Sequence, residues 1–521
     1  MSAKAVRIAW IAAAALLVAA LTALVFLVRA GDPGVTNWPI TWELRSSDNG
    51  VLFQFAQDVF TGRSLDWSFS PQVFVFPEIP ISLVAYLLAG GTVQLYYVLV
   101  AAINNALLFL GLFALIRYLF PRDTPGLRLA RAGVATFPLL LLPLIGTTWL
   151  FSYHLAPTYY FGMYLMILIA PTMLLTRRRW VRVVLAVALA LTGASNPLAF
   201  VFVVPAFVVV LLIRGFSSGW RCVWRPAVWG GGVLVVALLI RLVFFSRLQG
   251  GSPLAYIDTT IFSGRVATVF VYFRAQLADP TTATILILGA LAAVAGLVIA
   301  TIVAVRTIRR RNPSARSMTV LYFALVPVAG LAATAALIIT DYLYFWPVLV
   351  APLVFILLPV PRAWVRWSLP VVAAALVATV FLTGGVPNLA AASGYFDYRS
   401  PETRCLDSKL PPGITVGYST FSDARRLELT SSRHFRLIQL KSSGVRAYWL
   451  TNRDYAQDSV GRFFYINDVG DEPPISTSYI ESHFGQPDRQ FTCAPGQTVL
   501  IYDAPQKLAK IKARYSTLPA P

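Results

Sequence analysis

Charged side chains are scarce in this sequence. Asp, Glu, Lys and Arg together make up 13% of its 521 residues, whereas a soluble globular protein carries roughly 25%. Hydrophobic residues make up 57%, and the mean hydropathy is +0.68. Many apolar runs reach or approach the ~20 residues that cross a bilayer as a helix. The composition therefore excludes a soluble protein and indicates a multi-pass membrane protein.

Several familiar functional motifs are also missing. The sequence contains no phosphate-binding P-loop, no cluster of zinc ligands, no nucleophile elbow and no dinucleotide-binding glycine fingerprint. An ATP-driven transporter and a Rossmann-type enzyme are therefore unsupported. The net charge of +20 does not indicate nucleic-acid binding, because the arginines lie in short loops between apolar runs, where they set the orientation of a membrane protein.

The apolar runs predict eleven transmembrane helices. The run from Ile8 to Val28 is too long for the core of a signal peptide, so it is interpreted as a retained first helix. Two short runs joined by Ser195-Asn196-Pro197 could instead form one broken or re-entrant hairpin. The predicted spans are 8–28, 92–118, 133–151, 158–176, 181–194, 198–213, 229–245, 283–305, 317–339, 343–359 and 368–385.

Loop charges predict the orientation of the spans. With Lys4 and Arg7 on the cytoplasmic side, every second connection is rich in arginine, and Asp123 is the one acid on that side. The other nine acids before residue 386 fall outside. This alternation follows the positive-inside rule. An odd number of spans then places the C-terminus on the outer side.

Residues 386–521 differ from the transmembrane domain, 1–385. They hold thirteen of the 23 acidic residues, and short β-rich runs alternate with turn residues. The segment predicts a small extracytoplasmic α/β or α+β domain. Cys405 and Cys493 lie in this oxidising compartment and are predicted to form a disulfide, with two unrelated thiols as the alternative. The predicted elements are strands at 414–418, 436–440, 445–450, 463–466 and 499–502 and a helix near 476–484.

The first outer loop, residues 29–91, is unusually long. Val51, Phe55 and Val59 recur at helical spacing and predict a helix at 50–60 that could lie on the membrane surface. A second apolar run predicts a helix at 79–89, which is too short to span. Asp48-Asn49-Gly50 precedes the first helix, and Pro77-Glu78-Ile79-Pro80 leads into the second.

In this order of motifs the chain resembles the GT-C glycosyltransferases. Those enzymes have a long first periplasmic loop that opens with an acidic and a small residue and contains two membrane-parallel helices. The motifs Asp48-Asn49-Gly50, Gly62 and Pro77-Glu78-Ile79-Pro80 match that order, and the spans and outer C-terminal domain match the overall plan. The chain looks most like bacterial members related to protein O-mannosyltransferases and lipid A glycosyl- or aminoarabinosyltransferases.

The resemblance implies an inverting hexosyl- or pentosyltransferase with a polyprenyl-phosphate sugar donor. A carboxylate must take the proton of the acceptor hydroxyl, and Asp48 is in the position of that base, with helix capping as its alternative role. Glu78 is a second candidate acid, or simply an acid favoured at a helix start by the dipole. Asp58 and Asp66 are interpreted as solvated.

The second outer loop lacks an acid that many family members carry there. His154 lies in it instead, as a third candidate catalytic residue that could bind substrate, phosphate or a metal. The alternative is an interfacial histidine beside an aromatic belt. The missing acid weakens the case for a cofactor, and a divalent cation stays an open alternative.

Cations that could hold the departing phosphate lie in the fourth outer loop. Arg241 lies near the outer end of its span, where arginine is costly and usually functional, unless it snorkels to the interface. Asp341-Tyr342 opens the tenth span from outside, where family members often have Arg-Tyr. The candidate substrate-binding residues are Arg241, Arg247, Arg265, Arg274, Asp341 and Tyr342.

The leading hypothesis is a glycosyltransferase of the bacterial cytoplasmic membrane. Its acceptor would be an envelope lipid, glycan or protein at the outer face, and nucleic acid is no partner. A transporter or flippase would show broken or polar helices in matched halves; Asn104-Asn105 and Ser195-Asn196-Pro197 are such features, but no internal repeat accompanies them. A non-catalytic envelope-assembly protein on the same fold would explain the missing second-loop acid.

Overall fold

A computed structural model describes residues 2–31, 47–70, 72–145, 154–156, 161–248, 271, 274–275, 277–336, 362–382, 384–440, 450–456, 461–467 and 477–506. Its helices are α1 Ala3–Ala30, α2 Ser47–Thr61, α3 Glu78–Leu88, α4 Val93–Leu119, α5 Pro125–Ile145, α6 Phe161–Leu175, α7 Arg179–Ser195, α8 Leu198–Ser218, α9 Trp224–Ile240, α10 Pro280–Arg310, α11 Ala315–Ala336, α12 Arg362–Leu382, α13 Gly385–Ala391, α14 Ser393–Phe396, α15 Pro401–Lys409, α16 Phe421–Thr430 and α17 Thr477–Phe484. Its strands are β1 Trp67–Ser68, β2 Val416–Ser419, β3 Arg436–Gln439, β4 Thr451–Asn452, β5 Phe463–Asn467, β6 Arg489–Ala494 and β7 Gln497–Tyr502.

Ten of the eleven predicted spans coincide with helices, and the remaining one, 343–359, lies outside the described residues. Within the described part, six helices are long and apolar enough to cross a membrane, and a seventh is added if the bent pair 373–382 and 385–409 forms one span. The chain is thus a multi-pass membrane protein. The count of eleven spans is not confirmed. The six are Ala5–Ala30, Val93–Leu119, Pro125–Ile145, Leu198–Ser218, Trp224–Leu248 and Pro280–Arg310.

The chain divides into two compact units. Unit 1 comprises Met1–Val35, Pro71–Ala85 and Tyr97–Ala392; unit 2 comprises Thr36–Ser70, Tyr86–Tyr96 and Ser393–Pro521. The sequence assigned the whole first loop to the transmembrane domain. In the structure, the part of that loop that contains α2 belongs to unit 2, together with the C-terminal domain.

The C-terminal part of unit 2 is a five-stranded sheet in the order β3-β2-β5-β7-β6. β2 pairs in parallel with β3 and β5, whereas β7 is antiparallel to β5 and β6. Successive side chains of a strand point to opposite faces. Phe464 therefore packs in a core with residues of α15 and α16, and Phe463 packs in a second core with residues of α17.

This sheet confirms the predicted small mixed domain. Strands and a helix form at four of the five predicted strand positions and at the predicted helix near 476–484, while the fifth predicted strand, 445–450, lies outside the described residues except for Leu450. β6 was not predicted. It is an edge strand with a polar, largely exposed sequence, so it lacks the apolar signature of a buried strand.

Cys405 and Cys493 form the predicted disulfide. The bridge joins α15 to the edge strand β6, with 5.5 Å between the two Cα atoms and a sequence separation of 88. Cys222 is free and exposed. The bridge therefore ties the outermost strand of the sheet to the helix that covers it.

Candidate functional site

The first loop forms both predicted helices. α2 runs from Ser47 to Thr61 and α3 from Glu78 to Leu88, so these two predictions are confirmed. Asp48 is half-buried and lies in the first turn of α2. It is therefore part of the helix and does not cap it from outside. The positive end of the helix dipole favours an ionised carboxylate at this position.

Helix α2 packs closely on helix α16 of the same unit. A Cβ atom on Gly50 would lie 2.3 Å from Cδ1 of Leu429 and 3.4 Å from Cβ of Arg425. Glycine is the residue that permits such an approach. Gly50 is thus a packing residue, and it sets the first turn of α2, which carries Asp48, against the C-terminal domain.

Asp58 lies further along α2 and is fully buried, with 0% of its surface exposed. The prediction that it is solvated is therefore wrong. Its Oδ2 accepts hydrogen bonds from Trp67 Nε1 at 3.1 Å, Asn452 Nδ2 at 2.9 Å and the Tyr455 hydroxyl at 2.6 Å. Burial raises the pKa of Asp58, although these three donors act in the opposite direction. We call these four residues the clasp.

A short strand pair accompanies the clasp. β1 and β4 pair antiparallel, with Trp67 opposite Asn452. The backbone N–H of Arg453 donates to the carbonyl oxygen of Asp66 at 2.8 Å. The Asp66 side chain is 51% exposed and forms an ion pair with Arg453 at 3.0 Å, so the interpretation of Asp66 as a surface residue fits.

The strand pair and the clasp constrain the membrane topology. Residues 47–70 and 450–456 pack together within unit 2, so they lie on the same side of the membrane. Since each crossing changes the side, an even number of crossings must separate residue 70 from residue 450.

Glu78, the second candidate acid, is buried in unit 1 at the start of α3. Its Oε1 accepts a hydrogen bond from the backbone N–H of Gly162 at 2.8 Å, in the first turn of α6, where N–H groups lack helical partners. A Cβ atom on Gly162 would lie 2.7 Å from Pro77 Cδ and 2.9 Å from Glu78 Oε1. Burial raises the pKa of Glu78 to about 7, the range of a general acid or base at neutral pH.

His154 is buried in unit 1, with 1% of its surface exposed. Its Nε2 lies 2.6 Å from the carbonyl oxygen of Leu139 in α5. In a regular helix that carbonyl would accept from residue 143, but residue 143 is a proline and has no N–H. The imidazole supplies the missing donor. The structure thus gives His154 a structural role, and its catalytic role stays a prediction.

Arg241 is buried where α9 continues as a π-helix, Arg241–Phe245. Such insertions are frequent at functional sites. Its Nη1 donates to the carbonyl oxygen of Ala194 at 2.9 Å, in the last turn of α7. The carbonyls there lack helical donors, and the negative end of the dipole attracts a cation. The guanidinium is therefore turned onto the end of α7.

The end of α7 also receives the first loop. The backbone N–H of Val73 donates to the Ser195 carbonyl at 3.0 Å, and that of Phe76 donates to Ser195 Oγ at 2.9 Å. Asn196 Oδ1 accepts from the N–H of Leu198 at 3.2 Å, at the start of α8. The break at 195–197 therefore separates two helices and anchors loop residues 72–76.

The remaining candidates divide into exposed and undescribed residues. Arg247 and Arg274 are exposed. Arg265, Asp341 and Tyr342 lie outside the described residues. Across the described ranges, no group of three or more His, Cys, Asp or Glu residues could hold a metal ion, so they offer no ligand set for the divalent cation that the sequence left open.

Comparisons with known proteins add little to this geometry. No protein-family model and no curated protein matches the chain. Among solved structures, the chain is similar to the Archaeoglobus fulgidus oligosaccharyltransferase in complex with zinc and sulfate, with a TM-score of 0.40 and 14% identity over 87% of this chain and 67% of that chain. At these values the likeness carries no argument, and the function must be inferred from the residues.

Proposed function

We propose that the protein is a membrane glycosyltransferase that moves a sugar from a polyprenyl-phosphate donor to a hydroxyl group of an envelope lipid, glycan or protein. One observation carries the proposal. The first loop of a multi-pass membrane protein forms two helices, with the carboxylate of Asp48 in the first turn of the first helix and that of Glu78 at the start of the second. This is the arrangement that the sequence resemblance to GT-C glycosyltransferases implies.

In the proposed reaction Asp48 is the general base. Its carboxylate takes the proton of the acceptor hydroxyl while the oxygen attacks the anomeric carbon. The bond from that carbon to the phosphate oxygen breaks, and the polyprenyl phosphate leaves with the electron pair. Asp48 is half-buried, whereas Glu78 is buried and accepts the N–H of Gly162, so Asp48 is the more accessible carboxylate for an acceptor.

The leaving phosphate requires cations, since its negative charge is stabilised by positioned donors. Arg247 and Arg274 are exposed and are therefore more accessible to a ligand than Arg241, which is buried. Arg265, Asp341 and Tyr342 stay in the proposed substrate-binding set on sequence grounds.

The disulfide supports the proposed location at the outer face of the bacterial cytoplasmic membrane. Disulfides persist in oxidising compartments, and the Cys405–Cys493 bridge belongs to the same unit as α2. Asp48 is therefore proposed to act on the extracytoplasmic side. The N-terminus is then cytoplasmic, because one span, α1, separates it from α2.

Glycan and glycolipid profiles of the envelope test this function. Cells would carry the wild type, a deletion, Asp48→Asn or Asp66→Asn, with protein levels matched by immunoblot. We expect Asp48→Asn to lose the same sugar as the deletion, by about 100-fold or more, and the surface variant Asp66→Asn to keep it. If Asp48→Asn keeps the product that the deletion loses, the base is misassigned and a non-catalytic assembly role is favoured.

A further inference from the structure

We propose that the C-terminal domain holds helix α2 of the first outer loop in position, and that Asp58 is the positioning residue through which it does so. The inference rests on the proposed function, because it concerns the helix that carries Asp48. Residues 450–456 would then help to fix the position of α2 and of Asp48.

The partners of Asp58 come from outside its own helix. Asn452 and Tyr455 belong to the C-terminal domain, and Trp67 belongs to β1, which pairs with β4 of that domain. A buried carboxylate without donors is strongly disfavoured. The segment 450–456 supplies two of the three donors to Oδ2, so burial of Asp58 depends largely on that segment being in place.

A second set of contacts holds the same helix from α16. Arg425 is fully buried, and its Nη2 donates to Thr451 Oγ1 at 2.7 Å. Its guanidinium carbon lies 5.9 Å from the centre of the Trp67 ring. Helix α16 also receives Gly50 in the first turn of α2. The C-terminal domain thus contacts α2 near both ends, through Gly50 and through Asp58.

Two attachment points determine where a rigid helix carries its side chains. Asp48 and Asp58 lie on one helix, ~15 Å apart along its axis at 1.5 Å per residue, so with Asp58 released only the Gly50 contact of the two holds α2, and the whole helix, Asp48 included, can shift and turn against α16. A displacement of a catalytic group by about 1 Å can lower a rate about 100-fold. Donor binding should change less, because the proposed phosphate-binding arginines lie on other segments.

Hydrogen exchange of the full-length protein in lipid nanodiscs tests the attachment. Asp58→Asn keeps the side-chain volume but removes the charge that holds three donors, and Tyr455→Phe removes one hydroxyl. Asp66→Asn is the matched control, because its exposed ion pair contributes little. We expect exchange in α2 to rise about tenfold or more in Asp58→Asn, less in Tyr455→Phe and not in the control, while β5 and β7 stay protected.

Unchanged protection of α2 in Asp58→Asn would overturn the proposal. If Asp58→Asn unfolds the whole of unit 2, the milder Tyr455→Phe decides. Its α2 must then exchange faster than in the wild type while β5 and β7 keep their protection, and equal exchange in α2 would overturn the proposal.

Turnover of synthetic polyprenyl-phosphate hexose and pentose donors, measured as sugar release, separates positioning from simple stability. We expect Asp58→Asn to lower kcat by roughly 10- to 100-fold and to leave KM nearly unchanged. Loosened α2 with unchanged kcat, or a change in KM alone, would overturn the proposal. If the wild type and Asp48→Asn are equally inactive with every donor, the transferase function fails, and hydrogen exchange alone then reports whether the domain holds α2.

Discussion

The two units bury charged and polar side chains in different ways. In unit 1, Glu78, His154 and Arg241 each bond to the backbone at a helix end or beside a helix proline. In unit 2, Asp58 bonds to three side chains, two of them from distant sequence. The backbone groups of a helix in lipid must form their hydrogen bonds without water. Polar side chains therefore bond to the backbone groups that have no partner within the helix. These three side chains of unit 1 thus complete the hydrogen bonding of nearby helices, whereas Asp58 of unit 2 joins segments that are far apart in the sequence.

The largest expected effect concerns a buried ion pair in unit 1, where two side chains bond to each other. Asp123 and Arg131 are 3% exposed or less, with 2.8 Å between Arg131 Nε and Asp123 Oδ2, and Arg131 lies over the ring of Phe120. Asp123→Ala would leave a buried charge without its partner. We expect a loss of about 3–5 kcal/mol in the free energy of unfolding in detergent. The double variant Asp123→Ala with Arg131→Leu should recover part of it, and a loss below about 1 kcal/mol in the single variant would contradict the expectation.

The disulfide tests whether unit 2 depends on long-range links as a whole. Changing both Cys405 and Cys493 to serine removes a cross-link with a sequence separation of 88, which we expect to cost unit 2 about 2–4 kcal/mol. Limited proteolysis and denaturant midpoints measure the change. A reducing agent should reproduce it in the wild type and have no further effect in the variant, and Cys222→Ser is the control.

Unit 2 should also respond to pH through Glu428. This side chain lies 3.5 Å from Arg425 and 3.6 Å from Arg436, and burial raises its pKa from 4.5 to about 7. Because the folded pKa is the higher one, the stabilisation is fully present below about pH 4.5 and is lost as pH rises through about 7. The shift corresponds to up to about 3 kcal/mol.

Urea unfolding of unit 2 between acidic and neutral pH measures this dependence. Glu428→Gln should flatten it, since the amide does not titrate. Part of the slope should remain in that variant, because burial also raises the pKa of Asp58. Equal slopes in the wild type and in Glu428→Gln would contradict the assignment.

The smallest expected effect concerns the hydrogen bond between His154 and the Leu139 carbonyl in unit 1. His154→Phe keeps a ring of similar shape but leaves the Leu139 carbonyl without a donor, which we expect to cost about 1–3 kcal/mol. Pro143→Ala restores an N–H to that carbonyl. In the Pro143→Ala background His154→Phe should therefore be nearly neutral, and equal costs in the two backgrounds would show that the two residues are not coupled.

Local pattern explains which elements could be predicted from the sequence. The helical spacing of Val51, Phe55 and Val59 correctly placed α2, and β-rich runs correctly placed most of the sheet. The same spacing contained the signal that was missed. Asp58 lies seven residues after Val51, on the buried face of α2, where an acid requires partners.

The two C-terminal partners of Asp58 could not be identified because they have no local signature. Asn452 and Tyr455 are separated from Asp58 by 394 and 397 residues. The signal for the role of His154 lies closer in sequence. Pro143, which has no N–H for the Leu139 carbonyl, is eleven residues before His154. Even so, only the folded chain brings the imidazole to the Leu139 carbonyl.

The sequence separation within the clasp also sets an order of events during synthesis. Asp58 leaves the ribosome 394 residues before Asn452, and at about 5–20 residues per second this interval is roughly 20–80 s. During that time the buried acid has neither of its C-terminal partners. A chain that stops before residue 452 never acquires them, so synthesis of the segment 450–456 is the step that supplies the missing donors.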